Sequence, residues 1–261
     1  LVSRVFTARE NEGANKVMAL GDAVRNYVRP GMAHHIGSDA GAGICELLRQ
    51  FWGSSPGFTV IIGLMEGHAL NLIHAGLVRK VIASICGNLN PTPGPSPIAQ
   101  RAIEIGETEI ENWSVYSIFQ RLMASALGMA FLPTRAIAGT TMAHDNSNAF
   151  AWVSEPFSGD NVPVVKSLTP DLSLIHGIVA DPAGNTIPVF ADSESYWGAR
   201  ASKEGVIVTV EHVVSTDFIR EHSAFVKLPS HMVRAVCPAP FGAHPQSLFV
   251  RWLDGVKAYG E

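Results

Sequence analysis

Several glycines and polar side chains follow the apolar segments of this chain, where they could take part in chemistry. In an open sheet of parallel strands, ligands bind beyond the carboxyl ends of the strands, where the loops converge. Glycines at such ends let backbone N–H groups approach a ligand oxygen, which suits a phosphate or an oxyanion. The candidate substrate-binding residues selected in this way are Gly37, Ser38, Asp39, Glu66, Cys86, Gly87, Asn88, Gly139, Thr140 and Thr141.

The glycine-rich loop at residues 37–43 does not carry the full spacing of a dinucleotide or nucleotide motif, so a tight turn without a ligand stays an alternative. Glu111 ends an apolar segment and precedes a helix start marked by Ser114. Burial would raise the pKa of such a carboxyl toward neutrality, where it can act as a base or a nucleophile. We take Glu111 as the candidate catalytic residue, with a surface ion pair as the alternative.

The other reactive residue types give weaker patterns. His34 and His35 are neighbours in a predicted strand and point to opposite faces, so they cannot bind one metal ion together. No metal site is predicted, and a core or loop role is favoured for both. His144 and Asp145 could pair, but no third partner stands at a recognisable spacing. Cys86 could be a nucleophile, although a small buried cysteine is more common. A serine hydrolase is disfavoured because no G-x-S-x-G context is present.

The elements that must position these residues alternate between short apolar runs and amphipathic segments. This alternation predicts an α/β fold: one domain over residues 1–261, with an open, mostly parallel sheet and helices on both faces. The turn at 181–185 predicts a hairpin into 186–190, and the pattern weakens into an irregular segment at about 134–165. Strands are predicted over 32–36, 58–64, 80–85, 108–112, 172–180, 206–210 and 232–236, and helices over 20–28, 44–51, 69–75, 98–105 and 115–126.

Composition narrows the class of protein further. The chain has 261 residues, of which 47% are hydrophobic and 16% charged, so a disordered or fibrous protein is excluded. The net charge of -4 and the absence of a Lys/Arg run argue against nucleic-acid binding. Three cysteines at uneven spacing favour a reducing, intracellular setting. No apolar run is long enough for a membrane span and no secretory signal pattern is present, so we expect a cytoplasmic protein.

Five segments of the chain together resemble the α subunits of family I CoA-transferases. Gly31-Met32 and Gly37 match the entry G-M-x-x-x-x-G-G-F-G, with Ser38 and Asp39 in place of its second glycine and phenylalanine. Residues 77–84 resemble the strand G-x-V-K-x-V-I-x-S. Residues 111–131 resemble a helical block that starts with glutamate. Residues 170–185 follow P-D-x-A-L-I-H-x-x-x-A-D-x-x-G-N, and 240–245 resemble A-P-G-G-A-H-P. The nearest subgroup is the glutaconate CoA-transferase α-subunit type.

The resemblance implies one half of a heteromeric enzyme that moves CoA between an acyl-CoA and a carboxylic acid. The nucleophilic glutamate is then expected on a partner β subunit. The backbone of Gly37, Ser38 and Asp39 would lie near the thioester oxygen and the Glu111 region near the acid. No permanently bound cofactor is expected, since coenzyme A arrives as a substrate.

Relatives of the same fold leave two alternatives open. One is a hydrolase of ring-opened CoA thioesters, with a glutamate near the position of Glu111 acting on the substrate, or a decarboxylase. The other is a non-catalytic partner or sensor subunit.

Overall fold

An open sheet of parallel strands organises the chain. The computed structural model describes residues 13–37, 39–89, 92–189, 193–246 and 248, so Ser38 lies outside the described residues. The strands are, in chain order, β1 (Ala33–Ile36), β2 (Phe58–Ile61), β3 (Leu64–Met65), β4 (Val78–Ala83), β5 (Ile85–Cys86), β6 (Glu109–Asn112), β7 (Phe131–Pro133), β8 (Phe150–Ser154), β9 (Asn161–Lys166), β10 (Leu172–Ala180), β11 (Thr186–Pro188), β12 (Val206–Val213) and β13 (Val233–Pro238).

Helices connect these strands. Short 3-10 turns accompany them at Gly67–Ala69, Ser223–Phe225 and Ser230–Met232. The α-helices are α1 (Leu20–Tyr27), α2 (Gly41–Phe51), α3 (Leu70–His74), α4 (Pro97–Glu104), α5 (Val115–Ala126), α6 (Thr141–Asp145), α7 (Glu194–Ala201) and α8 (Thr216–Glu221).

The main sheet has the strand order β13-β12-β10-β1-β2-β4-β6, and every neighbouring pair along this path is parallel. Strand β11 adds an antiparallel pairing to β10, as the turn at 181–185 predicts. The predicted α/β fold with an open, mostly parallel sheet is therefore confirmed.

Strand β10 is the centre of this sheet because all nine of its residues are buried. Its first part, Leu172 to Leu174, pairs with β1, and its last part, from Gly177 onward, pairs with β11. Strand β11 therefore takes over the pairing where β1 ends. The chain that follows β11 is delivered to the carboxyl end of β1.

Helices cover both faces of the sheet, as the sequence predicts. On one face, α1 to α4 contribute buried residues such as Val24 and Leu47 to the largest hydrophobic cluster. On the other face, α5 and α7 pack with Trp113, Ile118 and Leu122 in a second cluster. Because both faces are covered, the strands read as continuous apolar runs rather than alternating ones.

Two predicted strands are each divided by a kink. The runs at 58–64 and 80–85 form β2 and β4 in the main sheet, then continue as β3 and β5 in a separate two-stranded sheet. The carbonyl of Gly63 causes the break, since it accepts from the backbone N–H groups of Ser84 and Ile85 and from the Ser84 hydroxyl at 2.5–3.3 Å. The kink turns β3 and β5 toward the loops at the carboxyl edge.

The segment at 134–165 has more regular structure than the sequence predicts. It contains α6, β8 and most of β9, and β7, β9 and β8 form a three-stranded antiparallel sheet. The glycines, prolines and polar residues between the short strands hide the pattern, because each strand is at most six residues long. Among the described residues, no helix is long and apolar enough to cross a membrane.

Candidate active site

The carboxyl ends of β1 and β2 meet the first turn of α7. Gly37 extends β1, and its N–H donates to the carbonyl of Leu174 at 3.0 Å, so this N–H does not face a ligand. A Cβ on Gly37 would lie 2.8 Å from Ile175 Cδ1 and 3.2 Å from the Ser195 hydroxyl. Gly37 is therefore required for close packing of α7 against β1, in addition to any role in binding.

Glu194, the first residue of α7, is held by a buried histidine. Its Oε1 lies 2.7 Å from His35 Nε2, and His35 Nδ1 lies 2.6 Å from the Ser173 hydroxyl on β10. The His35 side chain is fully buried, while 13% of the Glu194 side chain is exposed. The Oε2 atom lies 3.6 Å from the position that a Cβ on Gly63 would take. One carboxylate oxygen is thus fixed and the other faces the edge of β2.

Gly198 on α7 allows this arrangement. A Cβ there would come within 2.3 Å of three atoms of the His35 ring, so no other residue fits without moving the helix. The ring of His34, the neighbour of His35, points to the opposite face and packs edge-on against Phe58 with ring centroids 4.8 Å apart. The expectation that the two histidines point to opposite faces is confirmed, and both are buried in the core.

A second histidine–glutamate pair lies two strands away. His176 on β10 contacts the Thr209 hydroxyl through Nδ1 at 2.9 Å and Glu211 Oε1 through Nε2 at 2.8 Å. Glu211 also accepts from the N–H groups of Phe241 and Gly242 at 2.9 and 3.3 Å. Burial raises the pKa of Glu211, but the His176 and backbone hydrogen bonds outweigh it and hold the pKa below the usual range. This pair fixes the chain at 239–244 across the carboxyl edge.

A cavity of about 130 Å³ opens beside these pairs. Asp39, Glu66, His68 and Gln246 contribute its polar lining. Burial raises the pKa of Asp39; His176 lowers it, and Glu194 raises it further. Burial lowers the pKa of His68, and His244 adds to that effect. At neutral pH, His68 is therefore the uncharged imidazole.

The loop after β5 borders the same region. The N–H of Gly87 donates to the carbonyl of Met65, next to Glu66, and Asn88 exchanges two backbone hydrogen bonds with Gly94. A Cβ on Gly87 would lie 2.8 Å from the Gly94 carbonyl, so the loop closes only with glycine here. The predicted residues Gly37, Asp39, Gly87 and Asn88 thus follow neighbouring strands at one edge.

Glu111 lies elsewhere, on the edge strand β6. Its carboxylate accepts from Trp113 Nε1 at 2.7 Å and Arg121 Nη1 at 2.9 Å, and pairs with Lys80 Nζ at 2.7 Å. Burial raises the pKa of Glu111, but these three hydrogen bonds outweigh it and hold the pKa below the usual range. The guanidinium of Arg121 also stacks over the Trp113 ring at 4.2 Å. A carboxylate held this way is ionised, and both of its oxygens are engaged.

The groove beside Glu111 has a volume of about 350 Å³ and is lined by Asn112, Asp145 and Asn146 among others. Gly139 and Thr140 lie just before α6, whose residues Thr141 and Met142 line this groove. The Thr140 side chain caps α6 and donates to the Ile137 carbonyl at 2.7 Å. Glu111, Gly139 and Thr140 therefore belong to one region, three strands away from β1.

The remaining candidates are less suited to chemistry. Burial raises the pKa of Cys86 to about 11, which keeps this thiol protonated at neutral pH. His144 and Asp145 form an exposed pair at 3.3 Å. Sequence reasoning missed Glu194 and Glu211, because each meets its histidine only through strand pairing and helix packing. The one available signal was His176, which stands in the block at residues 170–185.

The sequence pattern described as Coenzyme A transferase matches residues 17–238, which include β1, β10 and the first turn of α7. The chain belongs to the coenzyme A transferase family. The match covers both histidine–glutamate pairs and the Glu111 cluster.

Three relatives are similar over much of the chain. An uncharacterized protein of Archaeoglobus fulgidus is 34% identical over 91% of the chain, and the chain spans 53% of that protein's length. One named subunit of glutaconate CoA-transferase from Acidaminococcus fermentans is 28% identical over 90% of the chain and 78% of its own length. The like-named subunit of 3-oxoadipate CoA-transferase from Pseudomonas knackmussii is 32% identical over 67% of the chain and 61% of its own length.

Solved structures show the same fold. The glutaconate coenzyme A-transferase of Acidaminococcus fermentans superposes with a TM-score of 0.76 at 28% identity, over 88% of this chain and 77% of that one. The decarboxylase AibA/AibB superposes with a TM-score of 0.73 at 26% identity, over 88% of this chain and 85% of that one.

Proposed function

We propose that this chain is the α subunit of a heteromeric CoA-transferase that moves CoA between an acyl-CoA and a carboxylic acid. The observation that carries the proposal is the family match over residues 17–238. Two relatives are named as the corresponding subunit of a CoA-transferase, which supports a two-chain enzyme. The carboxyl edge of β1, with Asp39 and Glu194, is the part of the site that this chain contributes.

The proposed reaction uses as its nucleophile a glutamate of the partner subunit. Its carboxylate attacks the thioester carbonyl, the C–S bond breaks, and an acyl anhydride and CoA thiolate form. The thiolate then attacks the glutamyl carbonyl, which releases the first acid and leaves an enzyme–CoA thioester. The acceptor acid reverses these steps. A carboxylate nucleophile divides one exchange into two steps of similar energy.

This chain supplies walls and hydrogen-bonding groups. The N–H of Gly37 is already used in the sheet, so oxyanion stabilisation in this proposal falls to the loop that includes Ser38 and Asp39. Glu194 presents one carboxylate oxygen to the cleft, held in place by His35. Gly87 and Asn88 shape the border of the same cleft. Coenzyme A is a substrate in this proposal, and we expect the enzyme to work in the cytoplasm.

Glu111 stays a candidate for contact with the acid. The hydrolase alternative, in which a glutamate near this position works on the substrate, is favoured by the groove of about 350 Å³ beside it. It is opposed by the three donors that engage Glu111. Gly139 and Thr140 remain predicted binding residues next to that groove.

The proposal is tested on the complex of this chain with the partner subunit encoded beside it. The complex is incubated with an acyl-CoA, reduced with borohydride and digested for mass spectrometry. We expect a reduced glutamyl group on the partner subunit, because the enzyme–CoA thioester is trapped there. Release of free CoA and acid without a trapped thioester would favour hydrolysis instead.

A further inference from the structure

The cavity next to Asp39 is polar and carries an unusual charge. It lies beyond the carboxyl ends of β1 and β2, with Ile44 and Ile62 as apolar walls. Its polar wall holds two carboxyl groups, those of Asp39 and Glu66, and among the described residues no lysine or arginine lines it. The carboxylate of Glu194 is near enough to Asp39 to raise the pKa of that carboxyl. The cavity therefore offers no cation to an anionic ligand.

His68 adds hydrogen-bonding capacity that the protein leaves unused. Both of its ring nitrogens are buried, and neither has a partner among the residues that the structure describes. A neutral imidazole has one donor and one acceptor. Burying such atoms without partners costs about 1–3 kcal/mol each, which a ligand that pairs with them recovers.

The size of the cavity limits what enters it. An apolar cavity of about 150 Å³ in another protein holds benzene, a molecule of about six non-hydrogen atoms. The present cavity, at about 130 Å³, holds a group of a similar or smaller size. A short acyl chain fits this space, and a fused-ring system does not.

We propose that this cavity is the acyl-group subsite of the transferase and that it selects a short, uncharged acyl group with a terminal hydrogen-bond donor, such as a hydroxyl or an amide. The inference rests on the proposed function for its thioester chemistry. Glu66 is the residue that determines specificity, because it accepts a hydrogen bond from the terminal group and repels a terminal carboxylate.

Two kinds of competing substrate are disfavoured for different reasons. A terminal carboxylate would be buried beside Glu66 without a cation, and like charges at close range raise the cost further. A plain alkyl terminus avoids that repulsion but leaves His68 and Glu66 unpaired. Glutaconate and 3-oxoadipate, after which two relatives are named, are dicarboxylates. The inference therefore separates this chain from those two proteins in substrate class.

The test uses CoA thioethers, which bind but cannot react. S-(4-hydroxybutyl)-CoA, S-butyl-CoA and S-(3-carboxypropyl)-CoA have chains of equal length and differ only at the terminus. Isothermal titration of each into the complex of this chain with its partner subunit gives three dissociation constants. We expect the hydroxyl compound to bind about tenfold more tightly than either of the others, as a polar subsite requires.

Glu66→Gln removes the charge and keeps the shape, so it should bring the carboxylate compound to within about threefold of the hydroxyl compound. Glu221→Gln, on the exposed end of α8, is the matched control and should leave the ranking unchanged. Equal or tighter binding of the carboxylate compound, a ranking that Glu66→Gln does not alter, or no binding of any compound would overturn the inference. If the ranking appears but borohydride traps no thioester, the proposed transferase function fails while the specificity stands.

Discussion

Two histidine–glutamate pairs in the same sheet are built alike and end differently. In each, a buried imidazole lies between a hydroxyl group on Nδ1 and a carboxylate on Nε2, at 2.6–2.9 Å. In each, a glycine makes room for the ring: Gly198 beside His35 and Gly242 beside His176.

The difference lies in the second oxygen of each carboxylate. Glu211 Oε2 accepts from the Phe241 N–H at 2.9 Å, so this pair anchors the chain that crosses the carboxyl edge. The nearest donor to Glu194 Oε2 given by the structure is the Ser195 hydroxyl, at 3.5 Å. A weak contact of this length leaves Glu194 able to accept from a substrate. The same motif thus serves as an anchor in one place and presents an oxygen in the other.

The largest effect is expected from Glu211→Ala. The substitution leaves His176 and the N–H groups of Phe241 and Gly242 without their acceptor in a buried place. We expect the free energy of unfolding to fall by about 3–5 kcal/mol, as for other broken buried pairs. Urea denaturation measures it. A loss below about 1 kcal/mol would show that Glu211 is not an anchor.

The second effect concerns His34, which has no partner for either ring nitrogen among the described residues. Burial lowers its pKa from 6.5 to about 4, although Asp171 and Glu204 oppose this. The unfolded chain therefore binds more protons than the folded one between those values, so stability is complete above pH 6.5 and falls as the pH drops toward 4. With 1.36 kcal/mol for each pKa unit, the loss at pH 4 is about 3 kcal/mol.

His34→Phe should remove that part of the acid sensitivity, since phenylalanine suits the apolar contact with Phe58. Urea denaturation at pH 7 and at pH 4.5 measures the difference between the two proteins. An unchanged pH dependence in the variant would assign the acid sensitivity to other groups.

The third effect separates the two pairs directly. Glu194→Gln keeps an oxygen for His35 and replaces the cleft-facing oxygen by an amide, so the free energy of unfolding should change by less than about 1 kcal/mol. Exchange of CoA in the assembled complex should fall about tenfold, because the acceptor for the substrate is lost. Steady-state kinetics and urea denaturation of the same preparations test both parts. A stable variant with full activity would remove Glu194 from the site.

The smallest effect is expected from Glu111→Gln. The amide keeps an acceptor for Trp113 and Arg121 but loses the ion pair with Lys80, which costs about 1 kcal/mol near the surface. Because the folded pKa of Glu111 is lowered from 4.5, its charged form stabilises the fold above that pH. The contribution is lost as the pH falls through the folded pKa, and the two proteins should then converge. Hydrolysis abolished with folding intact would instead support the catalytic role predicted for Glu111.

The sequence predicts the sheet well because its strands are buried on both faces and bounded by turn residues. Strand β10 shows this best, since its nine apolar or small residues stand between Asp171 and Asp181. The kink at Gly63 was not predictable, because it depends on hydrogen bonds from Ser84 on another strand.

The site was predicted in part. Gly37, Asp39, Gly87 and Asn88 follow strands, and the rule for parallel sheets places such residues together. Glu194 follows no strand in the way that rule requires. Its place depends on the packing of α7 over His35, which only the folded chain shows.

The central claim is that two chains share one thioester site. Transfer of labelled coenzyme A from an acyl-CoA to a carboxylic acid is measured with this chain alone and again after addition of its partner subunit. We expect no transfer by this chain alone and steady transfer by the complex. Full transfer by this chain without a partner would contradict the claim.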